Sequence, residues 1–122
     1  MKRALLLVVT AAIFAAIPGA AVARTPVLGS HHLPGATGFG HQRPRTVYLG
    51  GDPSGIVCRI RWLTWGRSIA VGIGVAENPV PDVAHGYWTP AVIIASDLRH
   101  SSYRGLTWTL PTRSTHSAPC HI

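Results

Sequence analysis

The sequence predicts an all-β protein: about five antiparallel strands in a curled sheet, small sandwich or partly open barrel. Three observations carry this. From residue 46 onward, short runs alternate apolar and polar side chains with the period of two that a strand imposes. Clusters of Gly, Pro, Asp and Ser separate these runs, drawn from 13 glycines and 10 prolines. No segment after residue 23 shows the 3.6-residue apolar period of a helix.

The N-terminus has the layout of an export signal. Lys2 and Arg3 precede an uncharged run over residues 4–17, apolar but for Thr10, Pro18 and Gly19 break it, and Ala21-Val22-Ala23 offers a small-x-small cleavage pattern. The run fits a signal-peptide core of roughly 7–15 residues better than a spanning helix of about 20. Residues 1–23 are therefore expected to be a signal peptide removed after Ala23, leaving an extracytoplasmic chain with no transmembrane segment. A retained membrane anchor is the competing reading. About 100 residues would remain, enough for one domain.

Residues 24–45 are expected to form a flexible arm, being rich in Pro and Gly and without a sustained apolar period. Residues 46–122 are expected to be a single β domain. Its first strand is short, over residues 46–50. Gly51-Asp52-Pro53-Ser54-Gly55 makes a turn, since Pro presets φ and Gly permits positive φ. In the second strand, residues 56–65, Ile56, Cys58, Ile60 and Trp62 alternate against Val57, Arg59, Arg61 and Leu63, and the first set is the expected core face. Gly66-Arg67 turns into residues 68–77, where Ile69, Val71, Ile73 and Val75 are expected inward and Ala70, Gly72, Gly74 and Ala76 outward. Residues 78–90 make a long loop with His85, Tyr87 and Trp88. Residues 91–99 form a central strand, apolar on both faces at Val92, Ile93 and Ile94, and residues 103–110 form the last strand.

The chain holds two cysteines, Cys58 and Cys120. In an oxidising compartment the simplest outcome is one disulfide, tying the C-terminal tail to the second strand. Two free thiols or an intermolecular pair are the alternatives.

The formal charge is +7, with only four acidic residues: Asp52, Glu77, Asp82 and Asp97. Past residue 23 every cation is an arginine, a composition that a GC-rich bacterial genome produces. The excess favours an anionic cell-envelope polymer or a protein partner. Nucleic acid is disfavoured, because no basic cluster is interleaved with aromatics in a recognisable module.

Seven histidines lack the H-x-x-x-H or C-x-x-C spacing of a zinc site, so no metal and no cofactor is expected. Asp97 and His100, with Ser101 and Ser102 nearby, contain the side-chain types of a hydrolase triad, and His85 is a further candidate base. Residues three apart at a strand end do not generally face one another, and no nucleophile elbow is present. A non-enzymatic binding module is therefore the leading expectation, with a small extracytoplasmic hydrolase as the alternative. Four tryptophans stand out. Trp62 and Trp108 fall on expected core faces. Trp65 and Trp88, with Tyr87, Arg59 and Arg61, are the candidate binding residues, since exposed aromatics and arginines grip sugars and protein partners.

The stretch Tyr48-Leu49-Gly50-Gly51-Asp52-Pro53-Ser54-Gly55-Ile56-Val57-Cys58, followed by Ile60, Trp62 and Trp65-Gly66, resembles a group of small exported proteins from mycobacteria and related actinobacteria. Ala91-Val92-Ile93-Ile94 and Leu106-Thr107-Trp108 are similar to that group too. The resemblance covers half to two-thirds of the chain and excludes the arm and the tail. The group has no established activity, so the resemblance implies export and a shared β domain and transfers no site residues.

Overall fold

The computed structural model describes residues 24–29, 33–111 and 115–121. The expected signal peptide, residues 1–23, lies outside the described residues. The fold is all-β: a curled mixed sheet of six strands in the order β1-β6-β5-β4-β3-β2, forming a half-barrel. The strands are β1 (Val27–Leu28), β2 (Val47–Tyr48), β3 (Ile56–Trp62), β4 (Ala70–Asn78), β5 (Tyr87–Arg99) and β6 (Ser102–Thr109). All neighbours are antiparallel except β1 and β6, which run parallel.

The arm contributes regular structure to this architecture, which its sequence did not predict. Val27 and Leu28 lie beside Ser102 and Tyr103. On the other side of β1, the Leu28 amide donates to the His41 carbonyl at 2.9 Å, and the Gly40 amide donates to the Leu28 carbonyl at 2.7 Å. Thr37 pairs with Tyr48 of β2. Residues 37–41 thus bridge the two ends of the sheet. Leu28 is fully buried, which supplies the apolar area the Pro/Gly-rich composition seemed to lack.

Two strands present faces that strict alternation does not predict. In β3 the register with β4 shifts between Cys58 and Arg61, and Arg59 takes φ 49°. This is a β-bulge, which adds one residue to one strand and inverts the parity beyond it. Ile56 and Cys58 therefore pack with Cys120, whereas Val57 and Ile60 pack in the main core, with Trp62 at its margin. The expected common face of Ile56, Cys58, Ile60 and Trp62 is divided in two.

In β4 the expected faces are exchanged. Ala70 and Ala76 are fully buried, Gly72 and Gly74 are covered, and Ile69 and Ile73 are exposed. The cause is the curl. A Cβ on Gly72 would come within 3.0 Å of both Ile60 Cγ2 and Trp62 Cε3. A Cβ on Gly74 would come within 2.9 Å of the Cys58 carbonyl oxygen and of Val57 Cγ1. Larger side chains from the neighbouring strands, Val57, Ile60, Trp62 and Ile93, fill the concave side, so β4 has room there only for small residues and turns its β-branched ones out.

β5 begins earlier than expected, at Tyr87, and so takes up Trp88 as its second residue. It joins β6 through His100 and Ser101, both in the left-handed region at φ 49° and 60°. Left-handed backbone at both central positions is the pattern of a type I′ hairpin turn, whose twist matches that of the flanking strands. The turn before β3 is a 3-10 segment, Pro53–Gly55, capped by Asp52, whose Oδ1 accepts from the Ser54 amide at 2.9 Å.

Two outcomes test this packing. Gly74→Ala is expected to lower stability by about 1–3 kcal/mol through overpacking, while Ile73→Thr on the open face changes it by roughly 0.5 kcal/mol or less. Urea denaturation of the two variants checks this, and equal losses would contradict the assignment of faces. Replacing His100-Ser101 with Asn-Gly is expected to raise stability by about 1 kcal/mol, since these residues enter left-handed backbone more readily.

Candidate functional site

Four arginines gather at one edge of the sheet. Residues 43–46 run along β3, where the Ile60 amide donates to the Arg45 carbonyl at 2.9 Å and Trp62 Nε1 donates to the Pro44 carbonyl at 2.8 Å. Pro44 is buried, and the side chains on either side of it, Arg43 and Arg45, are exposed. Across from them the bulge presents Arg59, and Arg61 follows, both exposed. These four side chains, with Thr46, Ile60 and Trp62, line a cleft of about 670 Å³.

No Asp or Glu side chain neutralises this cleft. Asp52 accepts from the Ser54 amide and hydroxyl, which holds its carboxyl below the ordinary value. Asp82 pairs with His85 at 2.8 Å, and Asp97 pairs with Arg99 at 2.8 Å. Glu77 is buried on β4, and burial, then the charge of Asp52, raise its carboxyl above the ordinary value. These are all the acidic residues of the chain.

One wall of the cleft is held by the C-terminal tail. Arg59 donates to the Pro119 carbonyl at 3.2 Å and to the Ala118 carbonyl. The next tail residue, Cys120, is joined to Cys58 with Cα atoms 5.8 Å apart. Upstream, the Ser117 amide donates to the Trp88 carbonyl at 2.7 Å, and His116 stacks on Tyr87 at 4.7 Å between ring centroids. The disulfide thus fixes the residue beside the one whose guanidinium the tail holds.

Arg59 and Arg61 lie together in the cleft. The aromatic candidates lie elsewhere and do not form a shared platform. Trp65 is half-buried: its Nε1 donates to the Pro26 carbonyl at 2.9 Å, and its ring meets Trp62 and Tyr103 edge-on at 4.7 and 5.0 Å. Trp88 packs beside Ile56 and the disulfide. The Tyr87 hydroxyl accepts from the Asn78 side-chain amide at 2.9 Å. Trp62 and Trp108 both pack against the main core. Arg43 and Arg45 escaped the sequence reading because they fall in the arm, and a local pattern carries no sign that the arm folds back along β3.

The hydrolase candidates are dispersed in the same way. The Asp97 carboxylate is taken up by Arg99, His85 by Asp82, and His100 sits exposed at the hairpin turn. Among the described residues, no group of three or more His, Cys, Asp or Glu side chains could hold a metal ion. Among those residues, too, no helix is long and apolar enough to cross a membrane.

Two measurements follow. Reducing the Cys58–Cys120 bridge, which closes a separation of 62 residues, is expected to lower stability by about 4 kcal/mol in the chain-entropy treatment. Denaturation with and without reductant reads this directly. For Glu77, a raised folded value means that the neutral carboxyl suits the fold. Its contribution is fully present below the unfolded-state value of about 4.3 and is lost as pH rises through the folded value. Glu77→Gln is therefore expected to gain stability relative to the native chain between acidic and neutral pH. A constant difference across that range would remove the assignment.

No protein-family model, curated protein or solved structure matches the chain.

Proposed function

We propose that this protein is an extracytoplasmic, non-enzymatic binding module that recognises an anionic polymer of the cell envelope through the arginine cleft. The observation that carries the reading is the convergence of Arg43, Arg45, Arg59 and Arg61 on one cleft, with every Asp and Glu side chain placed elsewhere. Guanidinium groups suit this role because they stay charged and present paired donors to phosphate or carboxylate oxygens. Arg59 is already oriented by the tail carbonyls, so less side-chain freedom is lost when an anion binds. The half-buried Trp62 ring adds an apolar wall beside the charges, a surface on which a sugar ring can rest. Export supports the same reading, because the N-terminal layout and the disulfide both suit an oxidising compartment.

Binding to polyphosphate and to polygalacturonate, measured by calorimetry with neutral dextran as control, tests the proposal. At least one polyanion is expected to bind, more weakly as salt is raised. Arg61→Ala and Arg43→Ala are each expected to weaken that binding about tenfold while leaving thermal stability unchanged. Failure of both polyanions to bind, or equal binding by the arginine variants, would refute it.

A further inference from the structure

The outer, convex face of the sheet carries a second surface. Arg61 of β3, Ile73 of β4, Val92 of β5 and Thr109 of β6 are successive register partners across four strands, and all four are exposed. Ile73 and Val92 are 41% and 40% exposed. The adjoining row runs through Val71, Ile94 and Thr107. Leu63 sits beside it, its amide donating to the Val71 carbonyl at 2.8 Å. Leu63 and Ile69 are each more than half exposed. Further along the same face, the C-terminal tail packs on Val75 and Trp88 through Cys120.

The curl accounts for this surface. Because β4 admits only small residues on the concave side, its larger aliphatic side chains are turned out, and they meet those of β5 on the convex side. Contiguous exposed aliphatic area of this kind marks a contact surface, unlike single exposed apolar residues. None of the four Asp and Glu residues falls in the two rows. The row through Ile73 begins at Arg61, which also lines the arginine cleft, so the aliphatic surface is continuous with a cluster of cations.

We propose that this face docks on the surface of an anionic lipid bilayer, with Ile73 and Val92 entering below the headgroups while Arg61 meets their phosphates. Shape and charge select this occupant. Two copies placed convex face to convex face touch along a narrow line and bring like charges together, the chain carrying +7. A fluid bilayer instead yields around a protruding aliphatic row, and its negative surface attracts the arginines at the rim. The two rows hold no aromatic ring on which a sugar could rest, which sets this surface apart from a carbohydrate platform. The inference shares Arg61 with the polyanion cleft and rests on that reading only in this residue's freedom to meet an anion.

The probe is vesicles of phosphatidylglycerol and phosphatidylcholine in equal parts, with pure phosphatidylcholine as control. Co-sedimentation of the full oxidised chain is the readout. Binding is expected on the anionic vesicles and to be about tenfold weaker on the neutral ones. Combining Ile73→Thr with Val92→Thr keeps β-branched side chains in both strands, so the fold is retained. This double variant is expected to weaken vesicle binding about tenfold while polyphosphate binding stays unchanged. Three results would overturn the proposal. One is no binding to the anionic vesicles. Another is full binding by the double variant, which marks charge alone, or the apolar run at residues 4–17, as sufficient. The third is a dimer without lipid that the double variant abolishes, which marks a second copy as the occupant. Polyphosphate binding that persists without vesicle binding refutes this inference alone, and the reverse pattern refutes the polyanion reading of the cleft alone.

Discussion

The close approach of β3 to β4 at Gly72 and Gly74 governs the rest of the molecule. With no side chain at these two positions, Val57, Ile60 and Trp62 lie directly on the backbone of β4. The sheet therefore curls instead of lying flat, and interior volume is scarce. Alanines take further inward places on β4 and β5, at Ala70, Ala76, Ala91 and Ala95, and the larger buried residues are Ile93 of β5 and others from the strands and arm that wrap around. Leu28, Val47 and Tyr103 are such residues, all fully buried. The Tyr103 hydroxyl also accepts from the Gly66 amide and donates to the Arg67 carbonyl, so one ring ties β6 to the β3–β4 connection.

The bulge at Arg59 adapts β3 to this curl and serves the cleft as well. Bulges bend a strand and re-aim a side chain, and here the inserted residue is an arginine. By inverting parity, the same insertion leaves Cys58 on the outer face, where it meets the tail. The second small cluster, Ile56, Cys58 and Cys120 with Trp88 and Val75 beside it, is thus a by-product of one additional residue in one strand. Structural bond and charged site are adjacent in sequence, and neither sits in the main core.

Composition and period made much of this legible. Strand content, the turn at Asp52-Pro53, the Cys58–Cys120 pair and the packing roles of Trp62 and Trp108 all follow from local pattern. Which side of β4 faces inward did not, because alternation identifies two faces without naming the inner one. Residue size argued for Ile69 and Ile73, and curvature decided for the glycines. The bulge was hidden for a related reason. Ile56, Cys58, Ile60 and Trp62 keep perfect alternation in sequence, and only the pairing with β4 shows the slip. Of the site residues, Arg59 and Arg61 were visible within a strand, while Arg43 and Arg45 needed the tertiary course of the arm. Trp65 and Trp88 looked free because their partners, Pro26 and Cys120, are distant in sequence.

The parallel contact between β1 and β6 has a further bearing on how the protein comes to be folded. Its partners, Val27 and Ser102, stand near opposite ends of the described chain. Contacts between such distant residues form late, after loop closure has been offset by nearer pairings such as the β5–β6 hairpin. A chain emerging from its N-terminus would leave Leu28 without its β6 neighbours until almost everything else had followed. The wall of the barrel is therefore completed only once the chain is essentially whole.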